Sequence, residues 1–380
     1  MPKIKVLRVI ARMNVGGPAF LVRDLMEMLD PSKFEQLLIH GDCEGKERDI
    51  PHLGDLRNAR RLANLGRKIS PIRDLISLRE IVKIIKVEKP DIIDTHTFKA
   101  GFLIRCYFLF FPFRRVRLVH HYHGHLLNGY FSRKTKVVYR WIEIVLSKQT
   151  DILISDGDLA KDELIREGIV PRGKFVTIRP GIHLIPSGAH LFSQTQPIMG
   201  SIRDPIVAFV GRLAPIKRPD RYLQVVHELT QRNSGCTFKM YGEGELLDEI
   251  ESEISARKLD LSLQPFEADI FEVLKDVDIL VMTSDNEGTP LTVMQASSAG
   301  VPCVGTNVGS MRDIVIDGVN GFLVNPDYVS ITTKIQELVS NPSQLKKLQE
   351  SSILYAEKNF DVANYIKAHE EVYLTLTIPR

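Results

Sequence analysis

Short apolar runs alternate with amphipathic stretches along almost the whole chain. Runs of four to eight residues rich in Val, Ile and Phe predict strands, and apolar residues recurring every three or four positions predict helices. The predicted strands form a first set, at residues 4–11, 34–40, 90–95, 117–121, 151–155 and 175–178, and a second set, at residues 206–210, 236–240, 278–283, 302–306 and 321–324. The clearest predicted helices span residues 18–29, 74–87, 136–148 and 218–232. Such alternation predicts an α/β fold in which parallel sheets carry helices on both faces.

Two domains follow from this pattern and from the length. The chain has 380 residues, about twice the size of a typical domain. Residues 183–204 separate the two sets of strands and are rich in Ser, Gly, Pro and Gln without periodicity, which is typical of a linker. We therefore predict an N-terminal domain over residues 1–185, a linker over 186–204 and a C-terminal domain over 205–360.

The net charge is close to zero for the whole chain but not for its halves. The chain carries 50 Lys and Arg against 47 Asp and Glu, a formal charge of +3. The first 190 residues hold 33 basic and 21 acidic residues, a net charge of +12, and the remaining residues have a net charge of −9. This distribution excludes a uniformly basic nucleic-acid-binding protein, and we expect no nucleic-acid partner.

Cysteine usage and hydropathy indicate where the protein works. Four scattered cysteines without ligand spacing favour a reduced, cytoplasmic setting without a structural zinc site. The N-terminus runs directly into a strand pattern, which predicts no signal peptide, and the most apolar run, residues 107–113, is far shorter than the roughly 20 residues of a spanning helix. Aromatic and basic residues mix at residues 105–117 and 133–136. This mixture fits either peripheral contact with an anionic membrane, on its cytoplasmic face, or a buried helix end followed by a solvated turn.

Candidate anion-binding residues lie on strand-to-helix turns, where parallel sheets bind ligands. After the first strand, Gly16 and Gly17 precede Pro18, and paired glycines let backbone N–H groups approach an anion at a helix start. A tight turn without a ligand explains them equally well. After the first strand of the second set, Arg212 and Lys217 offer a planar fork and a point charge, which suit a diphosphate. The dinucleotide and P-loop fingerprints are missing from the sequence, which disfavours hydride transfer and P-loop phosphoryl transfer.

A carboxylate stands at another strand end of the second set. Glu287 follows the predicted strand 278–283 and precedes Gly288, Thr289 and Pro290, where a helix is predicted to begin. Because a carboxylate repels phosphate, we expect it to bind a neutral or cationic group, and sugar hydroxyls are the favoured candidate. The alternative is a helix-start carboxylate stabilised by the helix dipole.

Histidines cluster at two strand ends of the first set. His96 closes one predicted strand region, and His121, His123 and His125 alternate along the next. Alternation would place these three on one face, as in some metal sites, but no Asp, Glu or Cys is interleaved, and we predict no metal site. The favoured interpretation is a strand-end histidine that hydrogen-bonds to a polar ligand.

Together these segments resemble a family-4 retaining nucleotide-sugar glycosyltransferase with the GT-B fold, over essentially the whole chain. The motifs are a Gly-Arg-Leu turn at residues 211–213, a Glu-Gly-Thr-Pro helix start at 287–290 and an Ala-Gly-Val-Pro return at 299–302. Residues 90–101 and 123–132 resemble a bacterial branch that acts in surface-polysaccharide assembly. The resemblance implies two Rossmann-like domains facing across a cleft. The first would bind the acceptor and be completed by residues 361–380, and the second would bind the donor.

The resemblance also implies a reaction and residue roles. A hexosyl or N-acetylhexosaminyl unit would pass from a UDP-sugar to a lipid-linked glycan, without a cofactor or bound metal. In that reaction His123 would face the transferred sugar, and Glu287 would bind its hydroxyls and support the developing positive charge. The donor diphosphate would be held by Arg212 and Lys217, helped by Gly16 and Gly17 and by the backbone from Gly288 through Thr289 and Pro290 to Leu291.

The main departure from the family pattern lies at position 295. Where the family has a second Glu, eight positions beyond the first, this chain has Gln295. An amide can donate to and accept from ribose hydroxyls, so nucleotide binding can persist with altered strength. The departure keeps open a non-catalytic nucleotide-sugar-binding or assembly protein, and a nucleotide-sugar 2-epimerase shares the two-domain architecture.

Overall fold

Two all-parallel β-sheets organise the protein. The computed structural model describes residues 2–45, 47–111, 116–124, 133–185, 203–265 and 269–377. The chain divides into two compact units: unit 1 comprises Met1–Gly181 with Val362–Arg380, and unit 2 comprises Ile182–Asp361. The predicted α/β class with two parallel sheets is confirmed by the strand pairing. The predicted linker lies almost entirely outside the described residues.

Unit 1 is built around a seven-stranded sheet. Its strands are β1 (Ile4–Ile10), β2 (Phe34–His40), β3 (Ala59–Arg61), β4 (Ile92–His96), β5 (Arg117–Tyr122), β6 (Ile152–Ser155) and β7 (Lys174–Thr177). They pair in the order β3-β2-β1-β4-β5-β6-β7. The helices are α1 (Gly17–Met28), α2 (Pro71–Glu88), α3 (Phe98–Phe110), α4 (Arg133–Ser147), α5 (Asp158–Arg166) and α12 (Val362–Thr377), which packs beside α1.

Unit 2 repeats the same design with six strands. They are β8 (Ile206–Val210), β9 (Thr237–Tyr241), β10 (Leu261–Gln264), β11 (Ile279–Met282), β12 (Cys303–Thr306) and β13 (Gly321–Val324), in the order β10-β9-β8-β11-β12-β13. The helices are α6 (Pro219–Gln231), α7 (Leu247–Arg257), α8 (Ile270–Leu274), α9 (Leu291–Ser298), α10 (Tyr328–Val339) and α11 (Pro342–Asn359). None of the helices in the described ranges of either unit is long and apolar enough to cross a membrane.

The central strands are buried on both faces because helices cover both sides of each sheet. In unit 1 the core includes Val9 of β1 and Ile93 of β4, and in unit 2 it includes Val207 of β8 and Leu280 of β11. Unit 1 departs from this apolar pattern at its centre, where charged side chains of β1 and β4 are fully buried. Burying charge is costly unless it is paired, so these side chains mark a polar cluster that needs its own explanation.

The short edge strands β3 and β10 were not predicted. Each has only three or four residues, and Arg60 and Arg61 make β3 mostly polar. Edge strands of this kind carry too few apolar residues for a periodicity to register.

Candidate functional site

Each sheet has one point at which its chain connections diverge, and in α/β proteins ligands bind at such switch points. In unit 2 this point lies between β8 and β11, which are neighbours in the sheet. Lys217 lies on the turn after β8, and Glu287 lies on the turn after β11. The structure therefore brings these two predicted residues together at the carboxyl edge of the sheet.

Lys217 and Glu287 form an ion pair. The Lys217 Nζ atom lies 2.6 Å and 2.8 Å from the two carboxylate oxygens of Glu287. The Ser284 hydroxyl donates to Glu287 Oε1 at 2.5 Å. The Glu287 side chain is buried while that of Lys217 is partly exposed. Lys217 can therefore turn towards an anionic ligand while Ser284 keeps the carboxylate in place.

Backbone and side-chain contacts hold the two turns at a fixed separation. The Thr283 hydroxyl lies 2.9 Å from the carbonyl oxygen of Lys217, to which it donates, and the Asp285 N–H donates to the carbonyl oxygen of Ile216 at 2.9 Å. The Arg221 guanidinium donates to the Asp285 carboxylate at 2.7 Å. These contacts position the ion pair without involving its own charged groups.

A third segment closes over Glu287 and requires glycine. Gly309 has φ +52°, and a Cβ atom there would lie 1.9 Å from the carbonyl oxygen of Glu287. The Ser310 N–H donates to the same carbonyl at 3.0 Å. A side chain at position 309 would push this segment away from Glu287. The sequence alone did not indicate that Gly309 contributes to the site.

Arg212 lies on the same turn as Lys217, and its side chain is exposed. The turn is anchored to the neighbouring strand β9, because the Gly211 N–H donates to the carbonyl of Tyr241 at 3.0 Å. A Cβ atom at Gly242 would lie 2.2 Å from the carbonyl oxygen of Gly211. This close backbone approach fixes the turn that carries both predicted diphosphate-binding residues.

The helix after Glu287 begins directly after Gly288, Thr289 and Pro290. Helix α9 starts at Leu291 with Pro290 at its N-cap, and Gly288, Thr289 and Pro290 are partly buried. Proline has no backbone N–H, so Pro290 cannot donate to a diphosphate, which corrects that part of the expectation. Gln295 lies four residues after Leu291, on the same face of α9.

In unit 1, Gly16 and Gly17 lie where α1 begins. Gly17 is the first residue of α1, and Gly16 is its N-cap with φ 178°, an extended conformation that any residue can adopt. A Cβ atom at Gly16 would make only ordinary contacts, the nearest at 3.5 Å with the Asn14 side chain. Neither backbone conformation nor packing requires glycine at position 16, so its small size leaves space at the helix start.

Four side chains of unit 1 form a line of hydrogen-bonding contacts along the carboxyl ends of β4, β5 and β6. Asp156 Oδ2 lies 3.2 Å from His123 Nδ1, His123 Nε2 lies 2.9 Å from His96 Nδ1, and His96 Nε2 lies 3.1 Å from Asp94 Oδ2. We call these four residues the histidine row. All four side chains are buried. Both ring nitrogens of His123 are therefore engaged within unit 1.

Asp94 is the most heavily contacted member of the row. Arg8 Nε lies 3.4 Å from its carboxylate, and the Tyr373 hydroxyl of α12 donates to it at 2.6 Å. Burial by itself would raise the pKa of Asp94, but the contacts of His96 and His121 outweigh burial and hold it well below its ordinary value. Burial also raises the pKa of Tyr373, so its hydroxyl remains a donor. Asp94 is thus a buried anion with a cation beside it.

His96, His121 and His123 could hold a metal ion if proximity were enough, because their ring nitrogens lie within 4.8 Å of one another. Their rings are nearly parallel, however. The His96 ring lies 4.2 Å from that of His121 and 5.2 Å from that of His123, with interplanar angles of 20° and 15°. A nitrogen lone pair lies in the plane of its ring, so lone pairs in three stacked planes do not meet at one ion. His125 lies outside the described residues.

Arg105 begins the stretch for which a membrane-facing surface and a buried helix end were both open, and its own position agrees with the buried helix end. Its side chain is buried and donates to both carboxylate oxygens of Glu143, at 2.9 Å and 2.8 Å. The Tyr122 hydroxyl donates to the same carboxylate at 2.5 Å. The carboxylate lies 38 residues away on α4, so the local sequence gave no indication that Arg105 turns inwards.

Helix α4 presents apolar side chains to solvent. Val137, Val138, Trp141 and Val145 are all exposed, Trp141 by 61%, and their spacing places them on one face of the helix. Phe110 and Phe111, at the end of the neighbouring helix α3, are also exposed, by 74% and 60%. Exposed apolar faces of this kind mark interaction surfaces.

Two family models match the chain. The model described as "Glycosyltransferase Family 4" matches residues 15–184, and the model described as "Glycosyl transferases group 1" matches residues 200–357. The Escherichia coli UDP-Gal:alpha-D-GlcNAc-diphosphoundecaprenol alpha-1,3-galactosyltransferase is 26% identical over 99% of this chain and 98% of its own length. The putative glycosyltransferase EpsF of Bacillus subtilis is 25% identical over 79% of this chain and 78% of its own length.

Solved structures share the fold. HepE from Anabaena, crystallised with UDP and glucose, has a TM-score of 0.78 at 19% identity and covers 98% of this chain and 100% of its own. The lipopolysaccharide outer core galactosyltransferase WaaB has a TM-score of 0.72 at 16% identity, over 98% and 99% of the two chains.

Proposed function

Because the chain belongs to glycosyltransferase family 4 and has the GT-B fold, we propose that it transfers a hexosyl or N-acetylhexosaminyl unit from a UDP-sugar to a lipid-linked glycan acceptor. The observation that carries this proposal is the meeting of Lys217 and Glu287 at the switch point of unit 2. The ammonium group of Lys217 is suited to a diphosphate, and the carboxylate of Glu287 is suited to sugar hydroxyls. The Escherichia coli relative is named for a UDP-sugar donor and a lipid-diphosphate acceptor, which supports the substrate classes.

The charges at this site support retention without a metal ion. On donor binding, Lys217 would leave Glu287 for the diphosphate, with Arg212 and the N–H groups at the start of α9 as further donors. These groups would neutralise the leaving phosphate, the task that a metal performs elsewhere. The freed Glu287 carboxylate would then bind the sugar and stabilise its developing positive charge.

The bond changes balance without a nucleophile from the protein. The bond between the anomeric carbon and the phosphate oxygen breaks, and the acceptor oxygen bonds to the same face of that carbon. The acceptor's hydroxyl proton passes to the departing phosphate oxygen. The configuration at the anomeric carbon is thereby retained.

A donor panel tests the proposed reaction. The full chain would be incubated with UDP-galactose, UDP-glucose and their N-acetyl forms, together with a lipid-diphosphate saccharide acceptor. We expect UDP release with one donor, a product of retained anomeric configuration by NMR, and unchanged rates after EDTA treatment. Failure of every nucleotide sugar to raise the melting temperature or release UDP would refute the proposal. Inversion of C2 without an acceptor would identify an epimerase instead.

Gln295 is proposed to hold the donor ribose through its amide. It lies partly buried on the face of α9 that also carries Leu291, close to the carboxyl edge of the sheet. A Gln295→Glu variant restores the usual family residue. We expect it to change the Kd for UDP by less than about tenfold, since both side chains can accept a hydroxyl hydrogen, and to leave turnover present in both proteins. Turnover only in the variant would show that the natural chain is a non-catalytic binder.

The exposed face of α4 is proposed to contact an anionic membrane. Apolar residues with a central tryptophan are typical of interfacial helices, and the half of the chain that contains α4 has a net charge of +12. A lipid-linked acceptor would reach the enzyme from such a surface. The protein would then work as a peripheral enzyme on the cytoplasmic face of the membrane.

Trp141 is the single tryptophan of the chain, so its fluorescence tests the membrane contact directly. We expect a blue shift of the emission with phosphatidylglycerol vesicles, weakening as salt is added, and none with phosphatidylcholine vesicles. A Val137→Ser, Val145→Ser double variant should bind the anionic vesicles less tightly. Equal shifts with both lipids, or none with either, would contradict the proposal.

A further inference from the structure

Helix α12 presents three aromatic side chains to the interior of unit 1. Tyr365, His369 and Tyr373 recur every four residues, so they lie on one face of the helix, and all three are buried. The Tyr373 hydroxyl reaches Asp94 of the histidine row. His369 lies between the two tyrosines, and the proposed reaction gives it no role.

His369 is fixed on its helix by two contacts. Its Nδ1 atom lies 2.8 Å from the carbonyl oxygen of Tyr365, and because a carbonyl only accepts, Nδ1 carries a hydrogen and donates it. The ring of Tyr365 also meets that of His369 edge to face, with centroids 4.3 Å apart and planes at 62°. The helix itself is anchored to the segment after α1, because the Glu370 carboxylate accepts the Asp30 N–H at 3.0 Å. The His369 ring therefore has a defined place and orientation.

The His369 ring lies parallel to the ring of His121 on β5. Their centroids are 5.1 Å apart and their planes differ by 7°, a separation typical of offset-stacked aromatic rings. His121 Nε2 lies 3.2 Å from Asp94 Oδ1, but its buried Nδ1 atom makes no hydrogen bond within the described part of the chain. One polar contact does not fix a ring, so the faces of the neighbouring rings must complete the definition of its position.

His121 in turn packs against both histidines of the row. Its ring lies 4.2 Å from that of His96 and 5.6 Å from that of His123, with interplanar angles of 20° and 17°. Protein interiors are close-packed, so one ring of this group cannot move without its neighbours. The position of the His123 ring therefore depends on the ring of His369, through that of His121.

We propose that His369 is a positioning residue for His123. The contacts of His123 with Asp156 and His96 are made by its ring nitrogens, and these contacts act in the plane of the ring. The stacked rings act perpendicular to that plane. His369 supports His121, and His121 supports His123 from this second direction, so the C-terminal helix contributes to the site of unit 1.

This inference deepens the proposed function and rests on it for the effect on turnover. By the family resemblance His123 faces the transferred sugar, and a displacement of about 1 Å can lower a rate about 10²-fold. The residues proposed to bind the donor diphosphate belong to unit 2. A change at His369 should therefore lower kcat and leave the KM for the UDP-sugar nearly unchanged.

His369→Ala removes the support, and Leu25→Ala is the matched control. Leu25 is as fully buried as His369 and lies on α1, the helix beside which α12 packs, so its truncation also leaves a cavity in unit 1. We expect kcat to fall about tenfold to a hundredfold in His369→Ala and to stay within about twofold of wild type in Leu25→Ala. Equal losses of kcat in the two variants, or a raised KM with unchanged kcat in His369→Ala, would overturn the positioning role.

His369→Phe tests whether ring stacking provides the support. A phenyl ring can stack on His121 but cannot donate to the Tyr365 carbonyl. We expect this variant to recover most of the kcat that His369→Ala loses. A kcat no higher than that of His369→Ala would show that stacking does not position His123.

A measurement without turnover separates this inference from the proposed function. The Cε1–H signals of the histidine rings in 1H–13C spectra of the full chain respond to ring positions, and a His123→Gln variant assigns the His123 signal by its loss. We expect the His123 signal to shift in His369→Ala and to stay in place in Leu25→Ala. An unchanged signal in both variants would overturn the inference. If the wild type transfers no sugar, the proposed function fails, while these signals still decide whether His369 positions His123.

Discussion

The two units place a carboxylate at the same topological point and surround it in opposite ways. Asp94 lies within β4 of unit 1, where Arg8, His96 and Tyr373 all contact its Oδ2 atom within the unit. Glu287 of unit 2 lies past the end of β11, where its partner Lys217 is partly exposed. Both positions are switch points of parallel sheets.

The comparison shows that depth along the strand decides what such a carboxylate does. A group inside the sheet is desolvated and must be paired by the protein itself. A group on the turn beyond the strand can exchange its protein partner for a ligand. The first residue is expected to control stability and the second to control turnover, and the predictions below test that division.

The largest effect is expected from Asp94→Asn. The variant leaves Arg8 buried without an anion, and breaking a buried ion pair costs about 3–5 kcal/mol. Urea unfolding followed by Trp141 fluorescence, which reports on unit 1, measures this loss. Asp55→Asn, at a surface carboxylate that is 79% exposed, is the control and should change the unfolding free energy by less than about 0.5 kcal/mol. A decrease of less than about 1 kcal/mol in the unfolding free energy of Asp94→Asn would show that the buried ion pair does not stabilise unit 1.

The next effect concerns turnover. Glu287→Gln keeps the shape of the side chain but removes its charge, and we expect kcat to fall about 10²- to 10³-fold. Unit 1 stability should not change. Glu272→Gln, at an exposed carboxylate of α8 that binds Lys275, serves as the matched control with normal kcat. Wild-type turnover in Glu287→Gln would place the catalytic carboxylate elsewhere.

The last prediction distinguishes the units by their response to acid. Burial lowers the pKa of His96 to about 3 and the pKa values of His120 and His369 well below 6.5. Below pH about 6.5 the histidines of the unfolded chain take up protons, whereas these buried rings of the native protein do not. The free energy of unfolding therefore decreases as the pH is lowered. Each ring contributes about 1.4 kcal/mol per pH unit.

Urea titrations at pH 7.0, 6.0 and 5.0 measure this slope. Unit 2 serves as the comparison, because its described histidines, His183 and His227, are exposed where those of unit 1 are buried. Trp141 fluorescence follows unit 1, and hydrogen exchange at β8 and β11 follows unit 2. If the free energy of unfolding changed equally with pH for both probes, the proposed difference between the units would be wrong.

Much of the fold could be predicted because its strands are buried on both faces. The predicted strands at residues 34–40 and 206–210 match β2 and β8 at both ends. Helix α12 also lies where an amphipathic pattern ends the chain. The family and the GT-B fold, first indicated by motifs, are confirmed by the two family models and by the parallel sheets.

Some residues of the candidate site could be predicted from the sequence next to them, and others only from the pairing of distant strands. Lys217 and Glu287 could be identified because each follows a predicted strand. Asp156 could have been placed beside His123 only from the pairing of β5 with β6, in which Tyr122 lies opposite Ser155. The residue roles carried over from the family remain predictions.

Other contacts left no trace in the sequence. Arg105 and Glu143 are brought together by the packing of α3 on α4, and Arg8 and Tyr373 by the packing of α12. Each residue alone resembles an ordinary surface charge or an apolar helix position. Only the three-dimensional arrangement distinguishes a buried pair from a solvated one.

The position of Tyr373 has a consequence for the order in which the protein matures. Its hydroxyl binds a carboxylate that lies 279 residues earlier, and all of unit 2 is synthesised between the two. At about 5–20 residues per second, Asp94 waits on the order of 15–60 seconds on the ribosome before Tyr373 is synthesised. During that interval the buried carboxylate of the nascent N-terminal unit lacks the hydrogen bond that Tyr373 later donates.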